Sequence, residues 1–68
     1  MNYVWKRISK ADVDRLAEKY NLEPFERRII ELRREGKSLV TVALKIGYSV
    51  SSVKRHSNKI LKKIAEDL

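Results

Sequence analysis

The chain has 68 residues, no cysteine and a formal net charge of +7. That length supports one small core and excludes a separate catalytic domain, while the lack of cysteine excludes disulfides, thiolate metal sites and thiol nucleophiles. No apolar run approaches the roughly 18 to 20 residues that span a bilayer, and Met1 to Arg7 lacks the apolar stretch of a signal peptide, so a cytoplasmic protein is expected.

Ser9 is placed to cap a first helix. Asp12 completes a capping box, Ile8 and Val13 form a hydrophobic staple across it, and Val13, Leu16, Ala17 and Tyr20 make the apolar stripe. Asn21 suits the left-handed residue that ends this helix. Pro24 suits the first turn of a second helix running to about Glu35. Its stripe is Phe25, Ile29 and Leu32 with Ile30 beside it, leaving Arg27, Arg28, Glu31, Arg33 and Arg34 to water. Gly36 ends it. Ser38 caps a third helix that lasts to Ile46, with Val42, Ala43 and Ile46 inward, and Gly47 turns the chain with least strain. Tyr48 leads to a cap at Ser49 and a fourth helix from Val50 to about Glu66, whose inward side is Val53, Ile60, Leu61 and Ile64. There is no strand candidate, repeat, linker or low-complexity segment. Tyr3, Val4 and Trp5 either extend the first helix or lie across the core.

The expected fold is therefore an all-α bundle of about four helices containing a helix-turn-helix. Residues 1–21 form an amino-terminal segment and helix packed on the helix-turn-helix region 22–68, within one domain.

Charge is distributed unevenly along this pattern. Residues 1–36 carry nine basic and seven acidic groups, residues 37–65 carry seven basic and no acidic groups, and Glu66 and Asp67 follow. A surplus concentrated on the helix-turn-helix produces a directional field that draws polyanions, where an even surplus would mainly aid solubility. Double-stranded DNA is the expected partner. On the fourth helix Ser51, Lys54, Arg55, Asn58 and Lys62 point away from the core side, with Ser52 and Lys59 at the flanks. Arg55 has the fork for guanine, Lys54 can donate to guanine acceptors, and Asn58 can pair with adenine. Ser51, Ser52, Lys59, Lys62 and the caps at Ser38 and Ser49 suit phosphate oxygens. His56 divides between a phosphate contact and packing at the core edge.

The string from Leu22 to Ala65, 44 of the 68 residues, resembles the DNA-binding domain of the LuxR family of LuxR, GerE and NarL type. Pro24, Glu26, Gly36, Ser38, Ala43, Ile46-Gly47, Ser49, Val53-Lys54, His56 and Ile60 to Lys63 fall in its register without a gap. The resemblance implies a four-helix DNA-binding unit, usually dimeric on DNA, that reads bases from the positions of Lys54, Arg55 and Asn58. It also implies a structural role for Glu26.

Three departures shape the expectation. The family's further helix, often its dimer interface, has no counterpart before Leu68, so the usual dimer is not implied. Leu39, Val40 and Leu44 stand where polar or charged residues are common in the family, and Val40 with Leu44 forms an extra apolar strip. The expected cover is the segment through Tyr3, Val4, Trp5, Ile8 and Leu16, with another subunit or a protein partner as the rival; Val40, Leu44, Trp5 and Tyr3 are the candidate protein interface. Ser57 replaces a usual aliphatic residue and should weaken packing.

The resulting expectation is a stand-alone bacterial or phage transcription regulator acting at the nucleoid. The alternative is a protein-interaction module similar to region four of sigma factors, touching RNA polymerase or another regulator. A third reading, the basic fourth helix as a membrane-surface or calmodulin-type target, lacks an aromatic anchor. One histidine, no cysteine, no clustered carboxylates and only two glycines argue against an enzyme, a metal site, a cofactor or a small-molecule substrate.

Overall fold

A computed structural model describes residues 3–67, and of Tyr3 only the backbone. A short 3-10 helix, Tyr3–Arg7, precedes four α-helices: α1 Lys10–Lys19, α2 Pro24–Arg34, α3 Leu39–Ile46 and α4 Val50–Ile64. No strand occurs among the described residues.

Local chemistry sets the helix ends. The Ser9 hydroxyl accepts the Asp12 N–H at 3.1 Å and the Asp12 carboxylate accepts the Ser9 N–H at 3.0 Å, a reciprocal pair that satisfies two otherwise orphaned donors. The Ser38 and Ser49 hydroxyls accept from the N–H groups of Thr41 and Ser52 in the same way. Asn21 takes φ 52°, and Gly47 caps α3 at φ 76°, where a side chain would be strained. α4 stops as α-helix at Ile64, short of the expected Glu66.

α2 is the central helix. α1 and the 3-10 helix pack on it from one side, and α3 and α4 pack on it and on each other. The core draws on every element: Trp5 and Ile8 from the amino-terminal segment, Val13 and Leu16 from α1, Ile29, Ile30 and Leu32 from α2, Val42 and Ala43 from α3, and Val53, Ile60 and Ile64 from α4. Each large aliphatic side chain buried here contributes roughly 1.5 to 3 kcal/mol, so a core this small depends on all of them.

Three expectations are corrected. Trp5 is only 3% exposed and belongs to the core, which removes it from the candidate interface. Its large ring covers apolar surface that so short a bundle cannot otherwise enclose. Because Trp5, Ile8 and Leu16 are all spent in the core, they do not cover the α3 strip, and Val40 and Leu44 stay in solvent. The Tyr3 side chain lies outside the described residues. Arg33 and Arg34, expected in water, are half-buried. Arg34 donates Nε–H to the Ile8 carbonyl at 3.0 Å, and Arg33 donates to the Lys37 carbonyl at 2.8 Å with its guanidinium 5.7 Å from the Trp5 ring centre. These two arginines hold the entry segment and the α2–α3 turn.

Candidate nucleic-acid interface

α4 is seated by one face and by its first turn. Val53, Ser57, Ile60 and Ile64 recur at helical spacing and are buried. At the amino-terminal end an aromatic platform fixes the approach. Phe25 stacks on Tyr48, with ring centres 4.8 Å apart and planes inclined by 14°, and meets His56 edge-on at 4.8 Å. The chain therefore enters α4 from Gly47 against a rigid surface supplied by α2.

Glu26 extends that surface. One carboxylate oxygen accepts the Glu23 N–H at 3.0 Å at the start of α2, and the other lies 3.8 Å from Nδ1 of His56. His56 is thus held at the core edge between Phe25 and Glu26, with its Nδ1 buried and without a hydrogen bond. This placement turns it toward α2 and away from the line of exposed cations, against the phosphate role considered for it. The structural role implied for Glu26 fits its position. The Phe25–Tyr48 platform had no signal in the sequence beyond the presence of two aromatics; only the fold brings residues so far apart into contact.

The opposite face of α4 is open. Ser51, Lys54, Arg55, Asn58, Lys59 and Lys62 are exposed, and Ser52 is half-buried beside its cap. Ser51, Arg55, Asn58 and Lys62, at steps of four, three and four, fall on one line along the helix, and Lys54 and Lys59 lie on either side of it. At about 1.5 Å of rise per residue the line is roughly 16 Å long, the length of about five base-pair steps. Lys54 and Lys59 consequently face the two walls of any groove that the line enters, and Arg55 and Asn58 face its floor.

Electrostatics separates the two halves of the molecule. Among the described residues, ion pairs join Arg15 to Asp12, Lys19 to Asp67, Arg27 to Asp14 and Glu31, and Arg28 to Glu31, within α1, α2 and the carboxyl-terminal turn, and the acid beside a titratable group of α4 is Glu26, next to His56. Among the described residues none of Lys37, Lys45, Lys54, Arg55, Lys59, Lys62 and Lys63 has a carboxylate partner. Their charge is directed to solvent.

The two cap hydroxyls are already engaged. Ser38 accepts from Thr41 N–H and also donates to Thr41 Oγ1 at 3.0 Å, and Ser49 accepts from Ser52 N–H at 3.1 Å. At these two positions an anion would meet the free amides of the first helical turn more readily than the serine hydroxyls.

The apolar face of α4 is consumed by the core, so this helix does not present the free amphipathic surface of a membrane-binding or calmodulin-type segment. No helix among the described residues is long and apolar enough to cross a membrane, and no group of metal-ligating side chains occurs among them. The shallow cleft lined by Asp14, Ala17, Glu18, Leu22, Pro24 and Arg27 lies between α1 and α2, away from α4, and its Asp14 and Arg27 pair with each other. No family model, curated protein or solved structure matches the chain.

Proposed function

We propose that this protein is a sequence-specific DNA-binding transcription regulator that places α4 in the major groove. The observation that carries the reading is the open α4 face, with its line of Ser51, Arg55, Asn58 and Lys62 flanked by Lys54 and Lys59, in a stretch whose cations have no carboxylate partner among the described residues. A groove about 12 Å wide admits one helix, and the short turn at Gly47 lets α3 brace that helix from behind. Arg55 is assigned a bidentate contact to guanine and Asn58 one to adenine, Lys54 donates to guanine acceptors, and Lys59 and Lys62 take phosphates.

The deciding experiment is selection of bound sequences from a random double-stranded DNA pool, followed by a salt titration on the selected site. Enrichment of a short motif is expected. With about five phosphates neutralised, log affinity should fall against log salt with a slope of about −4 to −5. A pool that yields no motif, or binding indifferent to salt, overturns the reading. A palindromic motif would mark a two-fold dimer, and a single short motif a monomer.

A further inference from the structure

We propose that the outer face of α3 is a docking surface for an acidic, amphipathic helical segment of a partner protein, separate from the α4 face. Leu44 is 79% exposed and Val40 55%, one helical turn apart on the same side of α3. A chain with so small a core leaves two large aliphatic side chains in water, and the segment able to shield them, through Trp5, Ile8 and Leu16, is committed elsewhere. The pair is flanked by Lys37 before the helix and Lys45 within it, both exposed and without a carboxylate partner among the described residues.

Charge complementarity selects the occupant. A second copy meeting this face symmetrically would set Lys37 and Lys45 against the same cations, in a stretch that holds no acid to relieve them. Two aliphatic side chains also fall far short of the roughly 800 Å² per partner that a stable dimer buries. A sugar-phosphate backbone would satisfy the lysines and leave the aliphatic pair unshielded. A helix with leucine-like side chains at i and i+4 and carboxylates on both flanks satisfies all four residues at once, in a small and therefore transient contact. The inference goes beyond DNA binding and does not depend on it.

The test is a titration of the isotope-labelled full chain, followed by amide chemical shifts. The probe is a synthetic helical peptide carrying Leu at i and i+4 on one face and Glu elsewhere. A control isomer of identical composition has its leucines spread around the helix. Shifts confined to Lys37 through Ile46 are expected, with binding at least about tenfold weaker for the isomer and for the double variant Val40→Ser, Leu44→Ser. Since both positions are exposed, that variant should keep the wild-type melting temperature and DNA affinity, which separates loss of this surface from loss of the fold or of the α4 site. Lys37→Glu with Lys45→Glu should weaken the peptide to a similar degree. Shifts centred on α4, equal binding of the isomer, or undiminished binding by the serine variant overturn the proposal. So does self-association of the free chain that the serine variant abolishes, which would assign the face to a second copy.

Discussion

Tyr20 donates its phenolic proton to Asp67, joining the end of α1 to the turn that follows α4 across 47 positions of sequence. Lys19 Nζ approaches the other oxygen of the same carboxylate at 2.6 Å. The Lys19 and Tyr20 hydrogen bonds hold the Asp67 carboxyl below the usual range, and the Asp67 hydrogen bond raises the Tyr20 phenol above its own. For Asp67 the folded value lies below the unfolded one, so its stabilisation is complete above the ordinary aspartate range near about 4 and is lost as pH falls through the depressed value. For Tyr20 the sign reverses: its contribution is complete below about 10 and is lost as pH rises through the raised value. The clasp should hold between those limits. Asp67→Asn should lower the melting temperature at neutral pH and soften its fall in acid. The remaining acid dependence belongs partly to Asp12, whose carboxyl is lowered by the Ser9 backbone and side-chain hydrogen bonds. Absorbance of ionised tyrosine should show one late-titrating phenol that becomes ordinary in Asp67→Asn; an unchanged titration would refute the clasp.

Ser57 is 4% exposed on the core side of α4, and its hydroxyl has no hydrogen-bond partner among the described residues. A buried polar group left unpaired costs about 1 to 3 kcal/mol, and alanine also favours helix more than serine does. Ser57→Ala should therefore stabilise the protein by about 1 kcal/mol, raising the melting temperature by about 4 to 8 °C in a domain of this size. Thermal denaturation measures this directly, and a lower melting temperature would show that the hydroxyl is satisfied.

Gly47 sits in left-handed backbone, and a Cβ built on it would meet nothing within 4 Å. The cost of Gly47→Ala is thus conformational alone, about 1 kcal/mol, and Gly47→Asn should cost less because asparagine tolerates this region. If alanine and asparagine destabilise equally in urea, a neighbour excluded by the geometry must be involved.

On the DNA-binding reading, Arg55→Ala and Asn58→Ala should each cost about 1 to 3 kcal/mol on the preferred site and relax selectivity there. Lys59→Ala should weaken all sequences alike and reduce the salt slope by about 1. Competition between selected and random duplexes checks both. Equal loss on all sequences from Arg55→Ala would move that residue to the phosphates.

The elements most readable from sequence were those governed by nearest neighbours. Ser9, Ser38 and Ser49 announce helix starts, Asn21 and Gly47 announce ends, and the periodicity of Val53, Ile60 and Ile64 separates the buried side of α4 from Lys54, Arg55 and Asn58. Trp5 stays open in the sequence between the core and a surface strip, because a five-residue 3-10 helix is too short to show a period and nothing local tells a core ring from a surface one. Arg33 and Arg34 depart from the expected exposure because charge predicts where a guanidinium prefers to be but not the carbonyls of Ile8 and Lys37 that draw it inward. The pairings of Tyr20 with Asp67 and of Glu26 with His56 span long stretches of chain, and a single sequence carries no trace of them.

On the DNA-binding reading, the one-sided placement of ion pairs sets the free molecule and its complex in opposition. Among the described residues, seven cations from Lys37 to Lys63 lack a carboxylate partner and repel one another, and dissolved salt relieves that repulsion within a screening distance of about 8 Å at physiological strength. On that reading, ions that loosen the grip on DNA should therefore make the unbound protein harder to melt, and bound DNA would act as its own set of counterions, tightening the half of the fold it touches.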